Sequence, residues 1–211
     1  MPSGARSLEG MVEMPMFPLG SVLFPGALGP LRVFEPRYLS LVEDVVANGD
    51  PFGMVLIERG FEVGGGDARF AVGTVARAAA IGELEEGHIG LVVRGGTRFS
   101  VDEWLEDDPY PKAKVAPLDD EVGFSPEIDR AHTAVRQSLA LLSELGEASI
   151  LDVEVPDDPV LASWALAQVC PVGPLDHQEL LEAPDAAIRL HRTMEMADEQ
   201  SALARVRLAG G

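Results

Sequence analysis

At 211 residues the chain can form one large domain or two small ones, and its 46% hydrophobic content supplies a core and excludes global disorder. A formal net charge of −19 opposes binding to nucleic acid or to anionic membrane surfaces. The longest apolar runs, such as Gly53–Ile57, are too short to span a bilayer, and a single cysteine, Cys170, excludes an internal disulfide and a thiolate metal cluster.

Residues 1–11 are small and polar, with no apolar stretch of the secretory type, and are expected to form a flexible tail. The single cysteine and the missing secretory signal together predict a cytoplasmic, reducing location. Residues 12–118 read as mostly strand. The region from Pro15 to Val33 is dense in proline and glycine, which predicts short edge strands and turns, with Leu31–Phe34 as a strand. One helix follows. Pro36 suits its first turn, Tyr38, Leu41, Val42, Val45 and Val46 share a face, and Asn48-Gly49 stops it. Strands are predicted at Phe52–Glu58, Val72–Glu85, His88–Arg94, Thr97–Glu106 and Lys112–Leu118, with a hairpin tip at Gly64–Asp67. Several strands at close spacing with short turns predict a small antiparallel barrel.

The period changes to helical in residues 119–211, the second expected subdomain. Ser125 and Pro126 suit a helix start, and Ile128, Ala131, Val135, Leu139 and Leu142 make one stripe ended by Gly146. Asp158-Pro159 opens a second helix, closed by Pro171. A third is predicted with Asp176 as cap, Glu179 completing a capping box, and Leu175 stapled to Leu180. Pro184-Asp185 opens the last helix. Its stripe of Leu190, Met194, Ala197, Ser201, Ala204 and Leu208 predicts packing against neighbouring helices; a dimer seam is the other reading, which Ser201 weakens. The arginine pairs Arg94/Arg98 and Arg189/Arg192 read as solvated surface.

The sequence offers little for catalysis. A phosphate-binding loop needs a lysine after its last glycine, and the only lysines, Lys112 and Lys114, follow Pro111 and Ala113. No serine lies near them for a Ser-Lys dyad, and none sits in a G-x-S-x-G elbow. His88, His132, His177 and His191 match no common metal spacing. Asp107-Asp108, Asp119-Asp120-Glu121 and Asp157-Asp158 lie beside prolines or between elements, where loop and cap roles account for them. Cys170, with no local cation, reads as a buried small hydrophobe. No catalytic residue, metal or cofactor is expected. A hydrolase whose triad meets only in space remains an alternative.

The run Met16–Gly26 (MFPLGSVLFPG) and the run Pro30–Tyr38 (PLRVFEPRY) closely resemble the opening motif of the Lon protease N-terminal domain family. Val72–Arg77, Arg94–Phe99, Trp104–Pro111 and Glu179–Asp185 are similar, in order, to later segments of that family, with one glycine more than expected at Gly95-Gly96. The resemblance spans about Val12 to Leu208. It implies an α+β fold: an N-terminal PUA-like antiparallel β-barrel with one inserted helix, followed by a C-terminal helical bundle. It also implies a recognition role, since this domain helps full Lon proteases select and hold polypeptide substrates. The sequence ends at Gly211 with no ATPase or protease segment, so protease activity is not expected to transfer with the family likeness.

The expected function is therefore a non-enzymatic polypeptide-binding module. Its expected partners are unfolded or extended segments and a separate ATP-dependent protease, to which it would serve as adaptor. A small-molecule sensor of the cereblon type is the alternative. Phe17, Phe24, Pro25, Arg32, Phe34, Arg37 and Tyr38 are the candidate peptide-binding residues, because rigid apolar surface near prolines binds extended peptide at low entropic cost. The competing readings are that the aromatics fill the barrel and that Arg32, Glu35 and Arg37 pair to lock the strand-to-helix corner. The oligomeric state is left open.

Overall fold

The computed structural model describes residues 10–59, 68–120, 127–148 and 154–210. The expected tail (apart from Gly10 and Met11), the hairpin tip at Gly64–Asp67, and the helix start at Ser125-Pro126 lie outside them. The chain divides into two compact units, residues 1–119 and 120–211.

The first unit carries six strands and one helix: β1 (Val12–Leu19), β2 (Leu28–Val33), α1 (Pro36–Asn48), β3 (Phe52–Arg59), β4 (Ala68–Glu83), β5 (Ile89–Trp104) and β6 (Lys112–Leu118). The sheet order is β2-β5-β4-β3-β1-β6, and β5 also pairs with β6. That extra ladder closes β1, β3, β4, β5 and β6 into a five-stranded barrel, with β2 attached to β5. All pairs are antiparallel except β1 with β3, which is parallel. Alternating side chains from these strands, including Met14, Met16, Val55, Val75, Phe99 and Val115, fill the interior.

Three expectations are corrected here. The proline-rich β1 is not an edge strand of the sheet as a whole, because it lies between β3 and β6 in the strand order, although each of its halves is paired on one side. The prolines are accommodated because β1 changes partner midway. Val12–Pro15 pairs with β6 and Met16–Leu19 pairs with β3, so each half has a ladder on one side only. The strands expected at His88–Arg94 and Thr97–Glu106 are one continuous strand, β5. Gly95 there is not a turn residue. A Cβ on it would lie 2.1 Å from the Phe24 carbonyl oxygen, so glycine permits a close backbone approach. On α1, Tyr38, Leu41, Val42 and Val45 are buried, whereas Val46 is exposed beyond the edge of that face. Gly49 ends the helix in the left-handed region, and the Asp50 amide closes it by donating to Val45 O at 2.9 Å.

The second unit contains α2 (Ile128–Glu144), α3 (Pro159–Val169), α4 (Pro174–Glu182) and α5 (Ala186–Gly210). Asp158 caps α3 by accepting from the amides of Val160 and Leu161 at 3.0 and 2.9 Å. The start of α4 differs from expectation. Its N-cap is Gly173, and Asp176 sits three residues inside, where it accepts from the Gly173 amide at 3.3 Å. Pro174 supplies a pre-set φ that starts the helix before the expected cap. Leu175, expected to be stapled to Leu180, is consequently exposed. Along α5, Leu190, Ala197, Ser201 and Ala204 are buried, Met194 is half-buried and Leu208 is exposed. Ala134, Val135, Leu139, Cys170 and Ala197 form one apolar cluster, and Ala131, Leu166 and Leu190 another.

The arginines expected at the surface depart most from the sequence reading. Arg98 and Arg189 are 2% and 0% exposed. Arg189 lies over the Trp164 ring, 3.1 Å from its centroid, and pairs with Asp120. It donates to Ser163 Oγ at 2.6 Å and to the carbonyls of Leu180 and Ala183 at 3.3 and 3.5 Å. Asp120 also accepts from Trp164 Nε1 at 3.1 Å, so this carboxylate anchors a buried network rather than decorating a loop. A buried charge is tolerated only when its hydrogen bonds are made, and here they come from α3, from α4 and its C-cap, and from Asp120 before the helices. Asp120→Ala strands the guanidinium and is expected to cost about 3–5 kcal/mol in urea unfolding. Arg207→Ala, which removes an exposed ion pair to Glu147, should leave the midpoint nearly unchanged.

Candidate functional site

The first unit holds an open cavity of about 280 Å³ lined by Phe17, Pro18 and Leu19 of β1, by Pro30, Leu31 and Arg32 of β2, and by Phe34, Glu35 and Tyr38 at the corner into α1. Its floor follows from packing. Phe17 is 6% exposed, stacks on Tyr38 at 4.3 Å between centroids, and meets Phe52 at 6.3 Å. Its rim follows from the chain path. Phe34 leaves β2 just before Pro36 turns the chain into α1, and 46% of it stays exposed, an unusual placement for a phenylalanine. The Phe34 ring lies 5.6 Å from that of His88.

Arg32 projects from the same rim. Its Nε and Nη2 lie 3.1 and 2.8 Å from Nδ1 of His88. Both guanidinium atoms can only donate, so Nδ1 is the acceptor in this arrangement. Glu35 is occupied by Arg37, whose Nε donates to Oε2 at 3.1 Å and whose guanidinium lies 4.5 Å from the Tyr38 ring centroid. Of the expected three-way lock of Arg32, Glu35 and Arg37, the Glu35–Arg37 pair is present among the described residues, and Arg32 turns to His88. Arg32 looks the other way, because β2 pairs with β5 in a register that sets Val33 against Ile89 and brings His88 alongside.

Of the residues expected at a binding surface, the structure gathers Phe17, Arg32, Phe34 and Tyr38 in this cavity. Phe24 is 2% exposed, and Pro25 and Arg37 do not line it. Pro18, Leu19, Pro30, Leu31 and Glu35, from the same motif, line the cavity as well. His88 comes to Arg32 through the β2–β5 pairing, 56 residues away in the chain, a placement no local pattern discloses.

A second cavity in this unit, about 420 Å³, is lined by Val12–Pro15, Asp44, Val45, Asn48, Asp50, Pro51 and Tyr110. Tyr110 donates from its hydroxyl to Asp44 Oδ2 at 2.8 Å. Among the described residues no group of three or more His, Cys, Asp or Glu is placed to hold a metal ion. Cys170 is buried in the second unit, and burial, with a smaller effect from Asp176, pushes its thiol up to about 12. Such a thiol is not an activated nucleophile near neutral pH.

An α+β chain with a closed barrel, a helix at its β2 corner and a helical bundle after it defines a domain of the Lon N-terminal type. Residues 13–199 match the family model of the ATP-dependent protease La (LON) substrate-binding domain, and the chain belongs to that family. It is 29% identical to Lon protease 2 of Myxococcus xanthus over 94% of this chain and 25% of the relative. It is 30% identical to Lon protease 2 of Sorangium cellulosum over 92% of this chain and 26% of the relative. The chain thus spans about a quarter of the length of these curated relatives. Among solved structures, a Lon N-terminal domain protein from Xanthomonas campestris superposes with a TM-score of 0.63 at 30% identity, covering 87% of this chain and 98% of that one. The N-terminal domain of a Mycobacterium avium complex Lon protease superposes with a TM-score of 0.65 at 18% identity, covering 89% and 99%, which speaks for the fold alone. Among the described residues no helix is long and apolar enough to cross a membrane.

The Tyr110–Asp44 contact sets a pH signature. Burial first, then the bond to Asp44 and its charge, push the phenol from 10.0 up to about 12. The folded state therefore holds this proton more tightly than the unfolded chain. The stabilisation is complete below pH 10 and fades as pH rises through about 12. Ultraviolet titration of the folded protein should show a tyrosine ionising near pH 12, a step missing from Tyr110→Phe.

Proposed function

We propose that this domain binds unfolded or extended polypeptide segments without catalysing a reaction on them, and that the cavity between β1, β2 and the α1 corner receives their apolar side chains. The observation that carries this reading is the exposed Phe34 at the rim of an aromatic-floored, proline-walled cavity. Fixed apolar surface of this kind needs little ordering on binding, so more of its contact energy appears as affinity. Membership of a substrate-binding domain family supports the same reading. In this role the domain works in the cytoplasm as an adaptor, presenting clients to a separate ATP-dependent protease. A small-molecule sensor is supported less well, since an open cavity of about 280 Å³ lies just below the usual range for buried ligands.

The test is fluorescence anisotropy with a labelled, permanently unfolded protein and its folded counterpart. The unfolded form should bind and the folded form should not. Phe34→Ala should weaken binding about tenfold, as truncation of a central aromatic anchor does. Stability should change little, because Phe34 is already 46% exposed. Equal binding of both forms, or an unchanged affinity for Phe34→Ala, overturns the proposal.

A further inference from the structure

The cavity lies between two strand edges that no other strand covers among the described residues. Among the described residues, Met16–Leu19 of β1 pairs with β3 on one side, and β2 pairs with β5 alone. Three consecutive residues from each, Phe17–Leu19 and Pro30–Arg32, line the same cavity, so the two edges face one another across it. The barrel is closed through β6 at one end of β1 and split at the other.

The backbone groups on the β2 edge follow from register. Gly95 donates its amide to Ala27 O at 2.9 Å, which turns the Ala27 carbonyl toward β5. Residues of an antiparallel strand alternate in this respect. Gly29, Leu31 and Val33 therefore bond to β5, whereas Leu28, Pro30 and Arg32 turn their backbone groups outward. The outward set comprises three carbonyls and the amides of Leu28 and Arg32, since Pro30 has none. On β1, the Met16 amide bonds to Pro111 O at 2.8 Å, away from β3, so the same alternation turns Pro18 toward the split. Pro18 also offers a carbonyl and no amide. A proline on each edge prevents the two strands from zipping together, which leaves the split available to another chain.

Charge narrows what that chain is. Arg32 is exposed at the edge, and among the described residues its guanidinium faces Nδ1 of His88 rather than a carboxylate. The carboxylate of Glu35 on the same cavity is already paired with Arg37. In a chain of net charge −19, this places a local cation at the groove. We propose that β2 takes the bound polypeptide as an added β-strand, with an acidic side chain of that strand set against Arg32. This rests on the reading of the cavity as a polypeptide site and specifies its mode: main-chain hydrogen bonds to β2 give sequence-tolerant affinity, the apolar cavity takes alternate side chains, and Arg32 selects among segments. Segments with internal prolines at the bonded positions are excluded.

The test uses fluorescein-labelled, proline-free peptides of alternating apolar residues with either Glu or Lys at the centre, and a scan of single N-methylated amides. N-methylation should weaken binding about tenfold at every second amide, the loss expected for a removed hydrogen bond, and little at the amides between. The Glu peptide should bind several-fold tighter than the Lys peptide, and Arg32→Glu should reverse that order. Because the scan alters only the peptide, protein folding does not confound it. Retained binding with no period-two dependence overturns strand addition and leaves polypeptide binding standing. Period-two dependence with no preference between Glu and Lys overturns the Arg32 assignment. Failure of every peptide and of the unfolded protein to bind overturns the polypeptide reading itself.

Discussion

The barrel depends on a change of partner within β1. Eight residues that include Pro15 and Pro18 do not sustain a ladder on both sides, because each proline lacks a donor. The strand meets this by pairing its first half with β6 and its second half with β3. The same long β5 that bonds β6 through its C-terminal half holds β2 through its N-terminal half. The two changes together close the barrel at one end and split it at the other. Phe17, Pro18 and Leu19 line the cavity because they lie on the half of β1 that β6 has left.

Glycine placement supports that geometry. The segment before β2 crosses close over β5, and Gly95 lets the Phe24 carbonyl approach to a distance no side chain would allow. Phe24 is then buried, while Phe34, at the other end of β2, is left at the surface. Two phenylalanines in one motif thus part company: one holds the loop down, the other stands at the rim.

In the second unit the corresponding element is Arg189. Its charge is fully buried and is neutralised by Asp120, stacked on Trp164 and bonded to Ser163 and to two carbonyls near the end of α4. Ser163 passes the bond on by donating to Val160 O at 2.7 Å within its own helix. Every group in this network has its bonds made, which is the condition under which a buried ion pair is compatible with a packed interior. An adjacent arginine on the same helix, Arg192, instead meets Glu179 and Glu195 at the surface.

Periodicity and local signals disclosed the change from strands to helices, the stop of α1 at Gly49, the opening of α3 at Asp158-Pro159 and the buried stripe of α5. Each is a local event, decided by φ preferences, capping groups or residue spacing within one or two turns. The motif from Met16 to Tyr38 disclosed the family and four of the residues that line the cavity. The partner change in β1, the continuity of β5, the burial of Arg98 and Arg189, and the meeting of Arg32 with His88 were decided only by the tertiary structure. Each of these depends on which strand or helix lies alongside, and a charge or a proline takes its meaning from neighbours that are tens of residues away in the chain.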